Sequence, residues 1–442
     1  MNRQESNMSD LLWKKGGSSG PDSEVMKFLS GDDVVLDRDL LLFDIQASAA
    51  HANGLQEIKI LNEAENQQIQ AALETIADEY QSQTRVLDDR FEDGHSAIEA
   101  WLTEMLGPLG AKIHTGRSRN DQVAVAMRLY IRHCLQELNG LCCRIADSFL
   151  VRADLDGKIP MPGHTHLQKA MPSSAGLWLA GHAEAFIDNA EFSSHVLECI
   201  NASPLGTASG FGINLPLARN SVANELEFSR LVVNPQAAQN ARGKIELMAL
   251  SALSMATLDL RRLAWDLSLF TSAEFAYVIL PDRYCTGSSI MPNKNNPDVV
   301  ELLRATHAVI VGAQAELNEV LALPSGYHRD LQATKPPFMR AFSKGVQALR
   351  LVPDLIAGFS WDEGRLRDAI KPEMFSTDIA TSLSAEGVPF REAYRKVAQS
   401  LSEIEAGDLE TTLAARVSPG ASGNLLLTTL IARLDKIRDP EN

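Results

Sequence analysis

Three short polar stretches hold most of the residues that could do chemistry, and each adjoins the end of a segment that reads as a long helix. The first is HTGRSRND, from His114 to Asp121, which sets Arg117 and Arg119 just ahead of an apolar-periodic run. Free N–H groups at a helix start favour anions, and guanidinium groups add fixed positive charge with bidentate geometry. The same residues also fit a capped surface turn with solvated arginines. The second stretch is PGHTHLQ, from Pro162 to Gln168. His164 and His166 alternate, so in an extended segment they point to opposite sides. No nearby cysteine or carboxylate has the spacing of a metal site. What remains is a catalytic or substrate-contacting histidine, or a hydrogen-bonded structural one. The third is GSSIMPNKNNP, from Gly287 to Pro297, which begins flexibly and carries one cation, Lys294, among the amides of Asn293, Asn295 and Asn296. It reads either as a plain polar connection or as a functional loop rich in groups that stabilise negative charge.

The segments between these islands must position them, and they are helical in pattern. From Lys244 to Leu280 there is no Gly or Pro, and apolar residues recur at three- and four-residue steps. Gln122 to Arg152, Ser173 to Cys199 (with Ser173 as N-cap), Asp298 to Ala322 and Pro336 to Phe359 have the same character. For the helix from Asp298, Asn296 is placed to cap and Pro297 to fill the first turn. These five segments predict a bundle of long, roughly antiparallel helices. β-branched alternating runs are scarce, so little sheet is expected. Shorter helical patterns such as Asn62 to Gln81 precede the bundle, and the Gly16–Gly20 stretch reads as a linker or turn. The predicted fold is therefore all-α: a long central helical bundle flanked by two smaller mainly helical domains. The expected boundaries are residues 1–110, 111–360 and 361–442.

Composition limits the partners. The 442 residues carry 41 Lys+Arg against 57 Asp+Glu, a formal net charge of −16. Such a surface repels phosphate backbones and anionic lipid, so neither nucleic acid nor membrane is expected as a partner. No run approaches 18 uninterrupted apolar residues, and Met1 to Lys15 lacks the apolar core of a signal peptide. The five cysteines are odd in number, with Cys142 and Cys143 adjacent and no C-x-x-C pair. That pattern suits a reducing compartment, and a cytoplasmic location is expected.

Taken in order and at these separations, HTGRSRND, PGHTHLQ and GSSIMPNKNNP resemble the three signature regions of the fumarase–aspartase superfamily. HTGRSRNDQ resembles its argininosuccinate lyase branch, as do DRDLLLFDIQAS from Asp37, GYHRDLQ from Gly326, and STDIA followed by GVPFREAY. The similarity spans roughly residues 11 to 400. The resemblance implies a reversible anti β-elimination of argininosuccinate to arginine and fumarate, without cofactor or metal. It also implies a homotetramer whose active sites are each shared between subunits. By matching positions, Ser288 is the proton-abstracting base, and His166 with Glu301 forms a proton relay to the leaving group. Substrate contacts carry over to Ser18, His95, Arg119, Asn120, Thr165, Lys294, Asn296, Tyr327, Gln332 and Lys335.

The chain departs from that pattern in several places. His164 stands where the family usually has Tyr, and Arg329 where it has Lys. Lys14-Lys15-Gly16-Gly17 replaces the GGRF that follows Leu12-Trp13. Asn240-Ala241-Arg242-Gly243 replaces S-x-R-D, and GTASGFGINLP from Gly206 replaces GSGA-x-AGNP. A sibling lyase with another leaving group is the competing enzyme. A non-enzymatic protein on the same scaffold is the competing class, and Ser288, His166, Glu301 and Lys294 together argue against it.

Overall fold

A computed structural model describes residues 23–439, and within them the chain is mainly helical. Ser18, the Gly16–Gly20 stretch and the Leu12-Trp13 similarity lie outside the described residues. Two compact units emerge. The first draws on the chain up to Met127 and on Ser203–Gln239; the second on Arg128–Ala202 and the chain from Asn240.

The principal helices of the first unit are α1 (Asp33–Glu57), α2 (Glu63–Gln81), α3 (Gly94–Leu106) and the start of α4 (Arg119–Asp156). Local chemistry fixes their ends. Asn62 and Glu65 exchange hydrogen bonds at 2.9 Å in a capping box, which answers two of the free N–H groups at the start of α2. Asp93 caps α3, accepting from Ser96 N at 2.8 Å. Leu41, Leu55, Ile69, Leu73, Ile76 and Leu102 are buried together where α1, α2 and α3 pack. Each is worth roughly 1.5–3 kcal/mol of removed apolar surface. Buried beside them is His51 of α1, whose Nε2–H donates to the Thr115 carbonyl at 2.9 Å. Burial, and then the charge of Arg117, lowers its pKa to about 3.

The second unit opens with a hairpin, β1 (Pro160–Thr165) and β2 (Gln168–Ser174), whose closing pair is Thr165 with Gln168. That leaves His166 and Leu167 as a two-residue loop, with φ of 55° and 58°. Positive φ at both central positions is the type I′ geometry that follows strand twist, but it usually takes Asn or Gly. After the hairpin come α5 (Ala175–Ile200), α6 (Lys244–Phe270), α7 (Asp298–Val320) and α8 (Lys335–Arg350). Helix α6 packs on α5, α7 and α8, burying Leu250, Leu253, Leu260 and Leu263 against residues such as Val300, Ile310, Phe338 and Phe342. No helix among the described residues is long and apolar enough to cross a membrane.

Four helix boundaries differ from their sequence expectations. Ser174, not Ser173, caps α5, because Ser173 is held in the hairpin opposite Met161. Asn296 pairs with Thr286 as a strand instead of capping α7, and Pro297 takes the N-cap position without a side-chain bond. Helix α6 ends at Phe270, ten residues early. There Thr271 Oγ1 donates to the Leu267 carbonyl at 2.7 Å, Ser272 Oγ accepts from Phe275 N, and Tyr277 N turns back to Phe270 O. Beyond Phe270 the backbone N–H groups of Phe275 and Tyr277 thus find acceptors off the helical ladder, and the helix stops without Gly or Pro. The segment from Pro336 to Phe359 splits at Leu351, because Pro353 has no N–H to continue it.

At the start of α6, Gly243 has φ of 77°, and a Cβ there would lie 2.4 Å from Leu321 Cδ2. Gly243→Ala is expected to destabilise the protein by about 1–3 kcal/mol, read as a lower urea midpoint. Adding Leu321→Ala should remove the clash but not the backbone strain, so the double variant should regain only part of the loss attributable to Gly243. A second expectation concerns acid. Below pH 6.5 the unfolded chain protonates His51 while the folded state refuses that proton, so this contribution is whole above 6.5 and is lost as pH falls toward about 3. His51→Gln keeps a donor for Thr115 and should lose about 2–3 kcal/mol less than the parent between pH 7.5 and 4.5 in urea titrations. Equal acid losses would show that His51 is not responsible.

Candidate active site

In the first unit the site begins with carboxylates held inside the helical packing. Asp37 and Asp44 of α1 are 3% and 2% exposed. Asp37 Oδ2 accepts from Gly94 N at 2.9 Å, and Asp44 Oδ2 lies 2.5 Å from Nδ1 of His95, on the first turn of α3. Burial pulls the His95 pKa down, but Asp44, with Asp93 and Asp37 behind it, more than offsets this. The imidazole therefore titrates above its ordinary value. Its Nε2 is buried with no hydrogen-bond partner.

Arg119, the first residue of α4, pairs with Glu92 at 3.0 Å and with Asp93. Burial opposes its charge, yet these carboxylates raise its pKa further. The neighbouring Arg117 behaves otherwise. It is buried, donates from Nη1 to Ser48 Oγ at 2.8 Å, and leaves Nε unpartnered, with burial lowering its pKa. Of the two guanidiniums in the island, only Arg119 retains partial access to solvent, at 29%. Asn120 follows it, its backbone N–H directed at Ser118 Oγ. Asp121 anchors the stretch: it accepts from Ser118 N at 2.8 Å, Gly206 N at 3.0 Å and Ala208 N at 2.9 Å. The altered GTASGFGINLP segment is thereby tied to the start of α4, with Gly206, Gly210 and Gly212 supplying the positive φ angles it needs.

In the second unit, His166 is exposed at the tip of its hairpin, with Thr165 beside it. His164 is half-buried and faces rings, 5.8 Å from Phe275 and 6.3 Å from Tyr277. The two histidines thus part company, one toward the aromatic packing and the other to solvent.

Ser288 and Lys294 share a second hairpin. Strands β3 (Thr286–Gly287) and β4 (Asn295–Asn296) pair, and Thr286 Oγ1 donates to Asp298 Oδ2 on the first turn of α7. Residues 288–294 form the loop. Ser288 Oγ accepts from the backbone N–H groups of Met291 at 3.2 Å and Ile290 at 3.4 Å. Donors aimed at a hydroxyl oxygen favour its alkoxide over its alcohol. Lys294 is exposed, and Asn296 is half-buried at the loop base. Glu301, one turn into α7, is 53% exposed and 4.0 Å from Arg304, whose guanidinium lies over Trp265. His166 and Glu301 share no hydrogen bond within the chain.

The last group lies between α7 and α8. Gly326 has φ of 96° and donates its N–H to Asn240 Oδ1 at 2.8 Å, which sets the position of Tyr327. Gln332 falls in the 3-10 turn Arg329–Thr334, and Lys335 opens α8 at 2% exposure. Arg242 Nη2 donates to the Leu331 carbonyl in that turn. The departure at Asn240–Gly243 thus has a structural use: Asn240 holds the Tyr327 loop, and Gly243 makes room for Leu321.

Asp44, Glu92, Asp93 and Asp121 were not among the residues picked out for roles. An acid inside the apolar run Leu40–Ile45 is the signal that marks Asp44. Asp93 could be read only as a helix cap.

A family model described as Lyase matches residues 23–312. An argininosuccinate lyase of Xanthomonas oryzae pv. oryzae (strain PXO99A) is 52% identical over 432 residues, covering 98% of this chain and 100% of its own. That of Stenotrophomonas maltophilia (strain R551-3) is 52% identical over 427 residues, covering 96% and 99%. Among solved structures, an EDDS lyase in complex with formate superposes with a TM-score of 0.78 at 21% identity, covering 95% of this chain and 92% of that one. A fumarate lyase from Mesorhizobium sp. BNC1 gives 0.68 at 17% identity, covering 96% of both. These structures share the fold; the curated relatives share half the residues from end to end. By those matches the chain belongs to the lyase family of the fumarase–aspartase superfamily, within its argininosuccinate lyase group.

Proposed function

We propose that this lyase cleaves argininosuccinate reversibly to arginine and fumarate by anti β-elimination, a step of arginine biosynthesis needing no cofactor. The observation that carries the mechanism is Ser288 Oγ, held under two backbone N–H groups where the loop leaves a pinned hairpin. The carbon acid beside a carboxylate is very weak, so the base must be strong and the product charge must be met. Ser288, as alkoxide, takes the proton, and the electron pair moves onto the carboxylate as a dianionic aci-carboxylate. Lys294 and the Asn296 amide offset that second charge. The pair then returns to form the double bond as the C–N bond breaks. The departing guanidinium nitrogen receives a proton through His166, with Glu301 as its carboxylate partner.

Exposed Ile290 and Met291 at the loop tip give the hairpin an apolar face with which to exclude water as it closes. Asn120, Thr165, Tyr327, Gln332, Lys335 and Ser18 position the substrate, with Arg119 and His95 toward its carboxylates. The resemblance supports a homotetramer in which each site is assembled from three subunits, the central bundle (111–360) forming its core. The solvent-facing positions of His166 and Glu301 fit sites completed by neighbouring chains. Buried thiols at Cys134, Cys142 and Cys143 fit a reducing, cytoplasmic setting.

Fumarate absorbance should rise when the protein meets argininosuccinate and stay flat with adenylosuccinate, aspartate or malate; a rise with one of those alone moves the protein to a sibling activity. Ser288→Ala should cost about 10²–10⁴-fold in turnover, with the thermal midpoint nearly unchanged. Parent-like turnover would remove Ser288 from the chemistry. Mixing His166→Asn with Lys294→Ala subunits should restore partial activity, and verified mixed tetramers without recovery would rule out shared sites.

A further inference from the structure

Asp44 is a buried carboxylate near the site to which the proposed mechanism assigns no role. It lies in an apolar run of α1 at 2% exposure, and His95 Nδ1, at 2.5 Å, is its only hydrogen-bond partner among the described residues. Its second oxygen, Oδ1, is buried without one. As a stabilising device this is a poor arrangement. A buried ion pair is often no better than apolar residues of the same volume, and an unanswered carboxylate oxygen costs more.

The ring it holds is equally unusual. His95 is 6% exposed and sits on the first turn of α3, where the helix dipole disfavours a cation. Yet three carboxylates surround it: Asp37 and Asp44 from α1, and Asp93 from the cap of α3. The opposing charges come from the Arg117–Arg119 island. Arg119 is bound to Asp93 and Glu92; Arg117 donates to Ser48, and its charge acts on Asp44 without a hydrogen bond between them. With Nδ1 committed to Asp44, the free nitrogen is Nε2, buried and unpartnered. An N–H there has nothing in the chain to donate to.

We propose that Asp44 is the positioning residue for His95: it fixes the ring's orientation and holds it as an imidazolium, so that Nε2–H is presented as a charged donor to a substrate carboxylate. The carboxylate receptor rests on the argininosuccinate reading of the substrate above; the charge on the ring does not. Asp44 itself touches no reacting atom. Its loss should therefore let His95 go neutral in the neutral pH range and leave the proton-transfer groups intact.

The first test is ring-labelled histidine NMR of the intact protein, with His95→Asn identifying the signal. In the parent, both ring nitrogens should be protonated at pH 7.5, and adding fumarate as a dicarboxylate probe should shift the His95 resonance. In Asp44→Asn the His95 pKa should drop by about 2 units. In turnover of argininosuccinate, Asp44→Asn should raise KM roughly 10- to 100-fold above pH 7 with kcat changed little, and KM should return toward the parent's as pH is lowered. Asp44→Glu should restore much of the neutral-pH affinity, and His95→Asn should show raised KM at every pH with no such limb. A neutral His95 in the parent at pH 7.5 overturns the proposal, as does an Asp44→Asn variant that loses kcat uniformly with KM and its pH dependence unchanged. If Asp44→Asn fails to fold, the parent titration and Asp44→Glu still decide. A parent that shifts its His95 signal with fumarate but does not cleave argininosuccinate would sink the substrate reading and leave the charged receptor standing.

Discussion

A charge taken out of water needs an opposite charge or a ring of hydrogen-bond donors, and most of the buried charges around the site meet one. Asp121 meets three backbone N–H groups, and in doing so joins the start of α4 to the Gly206–Ala208 turn. Arg119 meets Glu92 and Asp93, which fastens the same helix to the cap of α3. Asp37 and Asp44 then fix α3 to α1 through Gly94 and His95. Removal of any one of these groups would strand its partner in a low-dielectric interior, so the arrangement is held as a unit. Hydrophobic burial supplies the free energy; the charges decide which arrangement of the helices is accepted.

Much of this was legible in the sequence because the fold announces itself by periodicity. The apolar spacing of α4, α5 and α7 survives as helix, as does that of α6 as far as Phe270, and the pattern from Asn62 to Gln81 is α2, with Asn62 as its cap and not its first residue. What periodicity does not carry is where backbone N–H groups find acceptors off the helical ladder. Thr271 and Ser272 end α6 with residues that look permissible inside a helix. Nor does spacing show that Asn296 belongs to a ladder, since two-residue strands leave no alternating pattern. Among the residues proposed for the site, His166 and Lys294 stand out in polar islands on connections, whereas the role proposed for Ser288 rests on the resemblance. Asp44 and Asp93 escaped notice because their meaning depends on partners 51 and 26 positions away in the chain.

Two of the places where this chain leaves its family's pattern have local physical explanations. Gly243 accommodates Leu321 at a positive φ, and Asn240 supplies the acceptor that holds Gly326. His164 enters a cluster of rings with Phe275 and Tyr277, where burial lowers its pKa and an uncharged imidazole packs as an aromatic.

The pinned base of the Ser288 hairpin sets an entropic limit. The connection from α6 to α7 runs from Thr271 to Pro297, and ordering all of it on each catalytic cycle would cost on the order of 1–2 kcal/mol per residue. The β3–β4 pairs and the Thr286–Asp298 bond have already ordered its C-terminal base in the resting protein. The closing movement proposed for the loop then involves only the seven residues from Ser288 to Lys294. The same economy makes opening fast: a short loop released from a fixed base has little to unravel before product can leave.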